Sequence, residues 1–294
     1  MGELLLIILE QLSLHIPLLL GSYISLSLMK VPDLSIETAF VCGALCGATI
    51  LPLCASLPSS IQLVLVVGAS LCGGALVGLS SSVMTQYGKL PHLLSSIITF
   101  GIYYGINQLV AGSYLSLSSS LNPLLSAGIP RHPELITVLF ISIVCTVLLY
   151  KICSTQLGYA FALYGNNPHF FSHYGISTRY VFIVGITLAN ALGGLSGYLL
   201  AQSSGFADIT MGFGKILVCI TALILGKTIH VRKTPLSLIV PLGGGAAYFS
   251  LQQLLIKSGF NLKYFTTVQS VLILLILIMF LRKNSKKTID HLGV

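Results

Sequence analysis

The chain has 294 residues, of which 55% are hydrophobic and only 7% are charged, and its net charge is +8. An average soluble protein carries about 25% charged residues, so a soluble globule is excluded, and the high apolar content excludes a disordered chain. The positive charges stand between long apolar blocks, where they indicate membrane topology rather than nucleic-acid binding. The composition predicts a polytopic membrane protein surrounded by lipid.

A membrane-spanning helix requires about 20 mostly apolar residues. Nine segments meet this requirement. Because the sequence does not fix where the segments end, the predicted number of spans is about nine, in the range of eight to ten. The segments are 4–29, 36–56, 61–86, 92–111, 135–153, 180–203, 214–230, 234–256 and 266–282. Their apolar runs do not alternate as the strands of a membrane β-barrel do. The predicted fold is therefore all-α, a polytopic transmembrane helix bundle that forms a single domain over residues 1–294.

Charge orients this bundle. With the N-terminus outside, eleven lysines and arginines fall in inner segments and four, including Lys215, fall in outer ones. The positive-inside rule then places the C-terminal tail in the cytoplasm. A broken or re-entrant element near Pro32 would invert part of this assignment. The two long loops are 112–133, predicted to lie outside, and 154–179, predicted to lie inside.

Charged residues are few, and several of them lie within the first span or at the start of the second. Glu10 and His15 lie early in the first span, where we expect them near the membrane interface. Pro32 ends a helix, Asp33 can cap the next one, and Glu37 falls in its first turn, where the helix dipole favours an acid. A capped helix start is one interpretation of this stretch. The other is a discontinuous helix that lines a pathway, as in many transporters.

Small residues recur at the spacing that lets membrane helices approach closely. The four GxxxG pairs are Gly43/Gly47, Gly74/Gly78, Gly101/Gly105 and Gly193/Gly197. They predict a compact bundle and do not indicate what it carries.

Polar side chains inside spans are costly and are candidates for function. The amides of the spans can either bond across helices or face a translocation route. The candidate translocation pathway consists of Asp33, Glu37, Asn107, Gln108, Asn190, Gln202 and Asp208. The sequence shows no catalytic motif, no P-loop and no Cys/His spacing of a metal site. We therefore expect no enzyme activity, no metal and no cofactor, and a partner subunit or an ion gradient must supply energy for uphill transport.

The inner loop contains a segment that can be helical from about Pro168 to Tyr174, because proline suits a first helical position and Gly175 a C-terminal cap. Its aromatic residues, Phe170, Phe171 and Tyr174, are predicted to form an exposed face. That face is either a docking surface for a partner or a surface packed on the chain's own bundle.

Several stretches resemble the permease subunit of ABC importers in the branched-chain amino acid and ribose permease superfamily. They are Val31-Pro32-Asp33-Leu34-Ser35 with Glu37, Gly165-Asn166-Asn167-Pro168 with Tyr174-Gly175-Ile176-Ser177, and Gly205-Phe206-Ala207-Asp208 with Met211-Gly212-Phe213-Gly214. The third stretch is the most specific. The branch that the chain is most similar to comprises tryptophan/tyrosine-type uptake permeases, and the resemblance covers roughly residues 20–285.

The resemblance implies a permease of the bacterial inner membrane that works as a homodimer, with cytoplasmic ATP-binding subunits that bind the ATP and an extracytoplasmic solute-binding lipoprotein. It also implies a cytoplasmic coupling helix that contacts the ATPase. The candidate coupling residues are Gly165, Asn166, Asn167, Pro168, Phe170, Phe171, Tyr174 and Gly175. The solute is a small molecule, with an amino acid as one candidate. The alternatives are an ion- or proton-coupled secondary transporter and a membrane-embedded enzyme or assembly factor.

Overall fold

The computed structural model describes residues 2–112, 114–117, 134–167, 171, 177–229, 237–259, 264 and 267–271. Most of these residues are helical, because a helix pairs its backbone groups within one segment and so satisfies them in lipid. The elements are α1 (Gly2–Ser22), a π-helical turn (Tyr23–Leu28), α2 (Ser35–Leu53), α3 (Ser59–Gly88), α4 (His92–Ala111), β1 (Tyr114–Ser116), α5 (Leu135–Cys153), α6 (Gln156–Asn166), α7 (Thr178–Ser204), β2 (Phe206–Asp208), a 3₁₀ turn (Ile209–Gly212), α8 (Lys215–Ile229) and α9 (Ile239–Lys257).

Eight helical segments of the described chain are long and apolar enough to cross a membrane. They correspond to the first eight predicted spans and confirm the all-α polytopic fold. Both α4 and α5 begin and end at the predicted residues. Most of the ninth predicted span, 266–282, lies outside the described residues, although 267–271 are helical.

The central element of the bundle is α7, which packs against α1, α2 and α3. Its glycines allow this packing: Gly194 lies against Gly43 of α2 and Gly74 of α3, and a side chain at Gly197 would overlap the carbonyl of Phe40. The backbones of these helices therefore touch directly, which maximises van der Waals contact between helices that gain nothing else by leaving lipid.

Connections that the charge pattern assigns to the inner side lie close to one another. The Lys30 Nζ donates to Asn166 Oδ1 at 2.5 Å, and the Arg179 guanidinium lies 6.0 Å from the centre of the Tyr87 ring. The ends of α1, α3 and α6 and the start of α7 thus share one end of the bundle, named here the inner end. That this end faces the cytoplasm stays a prediction from the positive-inside rule.

The opposite end, the outer end, carries a small sheet that the sequence did not predict. Strand β1 pairs with β2 in antiparallel register, with Tyr114 opposite Asp208 and Ser116 opposite Phe206. Leu117 N extends the pairing by donating to Gly205 O at 2.8 Å. Strands of three residues, so far apart in sequence, leave no alternating pattern long enough to detect.

Packing divides the chain into two compact units, Met1–Phe249 and Ser250–Val294. The first unit holds the bundle from α1 through most of α9. The described part of the second unit consists of the last turns of α9, residues 258–259, residue 264 and the helical residues 267–271. The expectation of one functional domain over 1–294 stays a prediction.

Candidate functional site

The first two spans are separated by a break at the predicted proline. After the π-helical turn the chain leaves the helix at Met29, and Lys30 adopts a left-handed conformation with φ 56°. Pro32 cannot donate a backbone hydrogen bond, which ends helical pairing there. Asp33 then caps α2 as predicted, since its Oδ1 accepts from Ser35 N at 2.9 Å.

Asp33 is only 1% exposed and is the centre of a buried polar cluster. Its Oδ2 accepts from Asn190 Nδ2 of α7 at 2.7 Å, and its Oδ1 lies 3.5 Å from His92 Nε2 of α4. Burial alone would raise the pKa of this carboxyl, but the bonds from His92, Ser35 and Asn190 outweigh burial and hold the pKa below its ordinary value. The Asp33 cluster therefore joins the α1–α2 connection to two other helices.

A second break separates α7 from α8 and occupies the stretch Gly205–Gly214. Gly205 and Gly214 have positive φ values of 77° and 78°, which a glycine adopts without strain. Between them lie β2 and the 3₁₀ turn, and the Thr210 hydroxyl donates to Asp208 Oδ2 at 2.5 Å. Asp208, a predicted pathway residue, is thus engaged with the local turn at this break.

Glu37 connects the two breaks. It lies in the first turn of α2, and its Oε1 accepts from Ile216 N in the first turn of α8 at 3.1 Å. An acid is favoured at both positions because free N–H groups and the positive end of the dipole point toward it. A Cβ on Gly212 would lie 2.5 Å from the Glu37 carbonyl oxygen, so only glycine permits this close approach.

A second buried pair lies beside Glu37. His15 is 4% exposed, its Nδ1 lies 2.9 Å from Gln11 O, and its Nε2 lies 3.0 Å from Lys215 Nζ. His15 is thus buried and Lys215 half-buried among the chain's own helices, and the expectations that His15 lies near the membrane interface and that Lys215 belongs to an outer segment stay predictions. The second break lets α8 begin among α1 and α2, which brings Lys215 to His15 and over the ring of Phe40.

Glu37 also lines a narrow cleft between α2, α4 and the second break. The floor of this cleft is polar: Thr38 and Asn107 are 3% and 2% exposed, and Asn107 Nδ2 lies 3.4 Å from Thr38 Oγ1. Three aromatic rings form its mouth. The lining residues are Glu37, Thr38, Val41, Phe100, Tyr104, Asn107, Ile209, Gly212 and Phe213.

The predicted pathway residues thus divide into groups. Asp33 bonds to Asn190, whereas Glu37 and Asn107 line the same cleft, so four of the seven lie at two buried polar sites. Gln202 is buried elsewhere on α7, where it accepts from the Tyr198 hydroxyl at 3.1 Å. Gln108 is exposed on α4. Sequence reasoning missed His92, Lys215 and the aromatic residues of the cleft. The Gly-Phe-Gly triplet at 212–214 was a signal for a special turn at that point.

The inner loop contains α6, which precedes the predicted coupling helix. Gly165 lies against the carbonyl of Leu28, so this part of the loop packs on the bundle. Phe171 is 1% exposed and belongs to the hydrophobic core, so the expectation of its exposure was wrong: the ring gains more from burial than from solvent. The other predicted coupling positions, Pro168, Phe170, Tyr174 and Gly175, lie outside the described residues.

Within the described ranges, no three His, Cys, Asp or Glu side chains are close enough to bind a metal ion together. The arrangement can instead bind and orient polar groups in a low-dielectric interior, where hydrogen bonds and charges act strongly. Where the two helix breaks come together, it presents the free N–H groups of helix N-termini, buried side-chain amides and the carboxylate of Glu37. These groups fit recognition of a solute better than bond-breaking chemistry.

Comparison with known proteins supports a transport role. The profile of the family described as "Branched-chain amino acid transport system / permease component" matches residues 4–281. A tyrosine transport system permease protein of Clostridioides difficile is 30% identical over 215 residues, which are 73% of this chain and 70% of that protein. An uncharacterized protein of Rickettsia prowazekii is 28% identical over 225 residues, covering 76% and 77% of the two chains.

The autoinducer 2 import system permease protein LsrC of Escherichia coli is 26% identical over 208 residues, which are 70% of this chain and 55% of LsrC. No solved structure matches the chain.

The matched family and its transport relatives are permease subunits rather than enzymes. The described ranges contain eight apolar helices, and the protein is a multi-pass protein of the bacterial inner membrane. Because the family profile extends over residues 4–281, the chain belongs to the family of branched-chain amino acid transport system permease components, the permeases of ABC transporters.

Proposed function

We propose that this chain is the membrane-spanning subunit of an ATP-driven importer, which translocates a small solute delivered by an external solute-binding lipoprotein. The observation that carries the proposal is the meeting of two interrupted spans at Glu37 inside the bundle. Interrupted helices place free backbone groups and polar side chains along a route through the membrane, and transporters use them in this way. Asp33, Glu37, Asn107 and Asn190 are the proposed pathway residues with the strongest structural support.

Energy comes from a separate subunit in this proposal. The sequence contains no P-loop, and two cytoplasmic ATP-binding subunits would bind and hydrolyse the ATP. Helix α6 exposes the side chains of Leu157, Tyr159 and Leu163 at the inner end, with Tyr159 57% exposed. This face, together with the predicted coupling residues other than the buried Phe171, is the proposed ATPase-docking surface.

A connected set of contacts can carry movement from that surface into the bundle. Gly165 packs on the Leu28 carbonyl, and Asn166 accepts from Lys30. The chain continues from Lys30 to Asp33, which lies 3.5 Å from His92 of α4 and bonds to Asn190 of α7. A displacement of α6 would therefore move the α1–α2 connection and bias the helices around Glu37, as alternating access requires.

The permease is proposed to act as a homodimer, with an amino acid as the solute. Within the described residues, nothing outside the adjoining turns of α4 lies within 4 Å of a Cβ built on either glycine of the Gly101/Gly105 pair, which leaves that face of α4 open for a second copy. The choice of an amino acid rests on the similarity to the tyrosine transport system permease protein of Clostridioides difficile.

The test is to purify the tagged chain from its native membrane in mild detergent and to identify the proteins that accompany it. A stoichiometric ATPase with Walker motifs is expected. Tyr159→Asp should reduce its recovery by about tenfold, since a charge at a docking surface opposes burial. Tyr114→Asp is the matched control, because Tyr114 is 61% exposed at the outer end and should retain the ATPase.

A chain that purifies without an ATPase would contradict the importer proposal. Uptake by that chain alone in liposomes, abolished when an ion gradient is collapsed, would establish the secondary transporter instead. Equal recovery of the ATPase with both variants would move the docking surface away from α6 and leave the importer proposal standing.

A further inference from the structure

The cleft beside Glu37 has two layers with different chemistry. Its floor consists of Glu37, Thr38 and Asn107, which belong to α2 and α4 and are at most 9% exposed. Its mouth consists of the rings of Phe100, Tyr104 and Phe213, whose centres lie 6.2 to 6.4 Å apart. An apolar mouth over a few convergent polar groups is the usual construction of a small-molecule site.

The polar floor has no sufficient structural explanation. Glu37 caps α8, but the contact found for the Asn107 amide in the described structure is a long one, 3.4 Å to Thr38. Hydrogen bonds of amide donors are normally 2.7 to 3.2 Å long. A buried amide and hydroxyl paired this weakly within a membrane bundle are costly, and such groups usually mark a solute pathway.

Phe213 covers this floor from the second break. Its ring is 52% exposed and lies nearly parallel to that of Tyr104, at 18°. Gly212, which precedes it, packs against the Glu37 carbonyl, and Gly214, which follows it, has a φ of 78°, so the backbone holds Phe213 over the floor and its exposed ring is the part that is free to rotate. With Phe213 in this position the cleft holds about 10 Å³ of free space, enough for one water molecule. The cleft is therefore closed, and Phe213 must move for a solute to reach the floor.

The chemistry of the lining selects a class of solute. Glu37 is the one charged residue among those that line the cleft, and Lys215 is bonded instead to His15. A carboxylate favours a cationic group, and the faces of three aromatic rings attract a cation and stack on a flat ring. A solute with an ammonium group and an aromatic ring satisfies both layers.

We propose that the cleft of Glu37, Thr38, Asn107, Phe100, Tyr104 and Phe213 is a contact site for the transported solute, that it takes a small aromatic solute with an ammonium group, and that Phe213 closes it. This inference rests on the proposed transport function and adds to it the site and the class of solute.

The full-length chain contains no tryptophan, so a single introduced tryptophan reports on its own surroundings. We would purify the Phe213→Trp variant in detergent and titrate it with tyrosine, tyramine and 4-hydroxyphenylpropionate. The first two carry a ring and an ammonium group, and the third carries the ring without the ammonium. Saturable fluorescence changes are expected with tyrosine and tyramine, and binding of the third compound should be at least tenfold weaker.

Two further variants locate the site. Phe140→Trp is the matched control, because Phe140 is 64% exposed on α5 and does not line the cleft; it should not respond. Glu37→Gln in the Phe213→Trp background keeps an oxygen that can cap α8 but removes the charge, and it should weaken tyramine binding at least tenfold. If that change disturbs folding, Thr38→Val provides a second, nearly isosteric variant, for which weaker binding is also expected.

The proposal is overturned if no saturable change occurs, if all three compounds bind alike, or if Phe140→Trp responds as Phe213→Trp does. Unchanged binding in the Glu37→Gln and Thr38→Val variants would also overturn it. None of these measurements involves ATP or the partner subunits. A failed cleft assignment therefore leaves the ATPase co-purification result intact, and a failure of that co-purification leaves the binding result intact.

Discussion

Helices α7 and α4 carry the same small-residue motif in opposite surroundings. Within an apolar stretch of 18 residues in each helix, 72% of the residues of α7 are buried by the rest of the chain, but only 22% of those of α4 are buried. The Gly193/Gly197 pair of α7 meets Ile36 and the Phe40 carbonyl of α2, whereas the Gly101/Gly105 pair of α4 meets open space. The same spacing thus builds the centre of the bundle in α7, whereas in α4 it lies on a face that no other described part of the chain covers.

The difference teaches that GxxxG specifies close approach and not the identity of the partner. Helix α4 is held to the bundle at its first residue, where His92 reaches Asp33, and along one side by Tyr103, whose hydroxyl lies 2.8 Å from Ser80 Oγ. Its other side bears the open glycines and the aromatic mouth of the cleft. We therefore expect changes in α7 to unfold the chain and changes on the open side of α4 to alter what the chain binds.

The largest effect is expected from Gly197→Val. The new side chain would overlap the Phe40 carbonyl, and neither backbone can retreat because both helices are packed on their other sides. Overpacking of a well-packed core costs about 3 kcal/mol at its upper range, so most of the folded protein should be lost. The measurement is thermal unfolding in detergent followed with a thiol-reactive fluorogenic dye, since five of the seven cysteines are buried. An unfolding temperature equal to that of the wild type would contradict this central role of α7.

A smaller loss of stability is expected from Asp33→Asn. The amide cannot accept both of the bonds that Asp33 accepts from Ser35 and Asn190, and it presents no charge to His92 at 3.5 Å; a lost hydrogen bond to a buried charge costs about 2 kcal/mol. Asp208→Asn is the matched control, because Asp208 is half-buried and its side chain bonds to Thr210 in its own turn.

This prediction has a pH dependence with a defined sign. The pKa of Asp33 in the folded protein is below its ordinary value, so the charge contributes stability above the unfolded pKa of about 4 and loses it as the pH falls through the folded value. The difference in unfolding temperature between wild type and Asp33→Asn should shrink as the pH falls below about 4. A difference that grows on acidification would show that the Asp33 carboxyl is not charged in the folded protein.

Much of this arrangement could be predicted from the sequence. The apolar runs gave the spans, Pro32 gave the first break, and the short polar side chain of Asp33 gave the cap. The second break was not predicted as a break, because Gly205–Gly214 is only ten residues long and the apolar run resumes at once. The partners of His15 and Lys215 were also missed, since contacts between residues 200 positions apart leave no local pattern.

A modest effect is expected from Tyr103→Phe at the contact between α3 and α4. This change removes a hydroxyl that lies 2.8 Å from Ser80 Oγ and 3.2 Å from Leu76 O. A neutral hydrogen bond contributes about 1 kcal/mol, so the unfolding temperature should fall slightly while the protein remains folded. Tyr104→Phe is the matched control: its hydroxyl makes no hydrogen bond found in the described structure, and stability should not change. Equal shifts for the two variants would show that the Tyr103 hydroxyl does not hold α4 in place.

The smallest effect on the stability of the single chain is expected from Gly101→Val, the same substitution as Gly197→Val placed on the open side of α4. No atom lies within 4 Å of the added Cβ position, and a surface substitution away from special features changes stability by about 0.5 kcal/mol or less. If a second copy packs on this face, however, the added side chain separates the two backbones, and the dimer fraction measured by mass photometry in detergent should fall severalfold. Gly68→Val is the control, because Gly68 on α3 is equally open and belongs to no GxxxG pair. An undiminished dimer with Gly101→Val would exclude this face of α4 as the interface between copies.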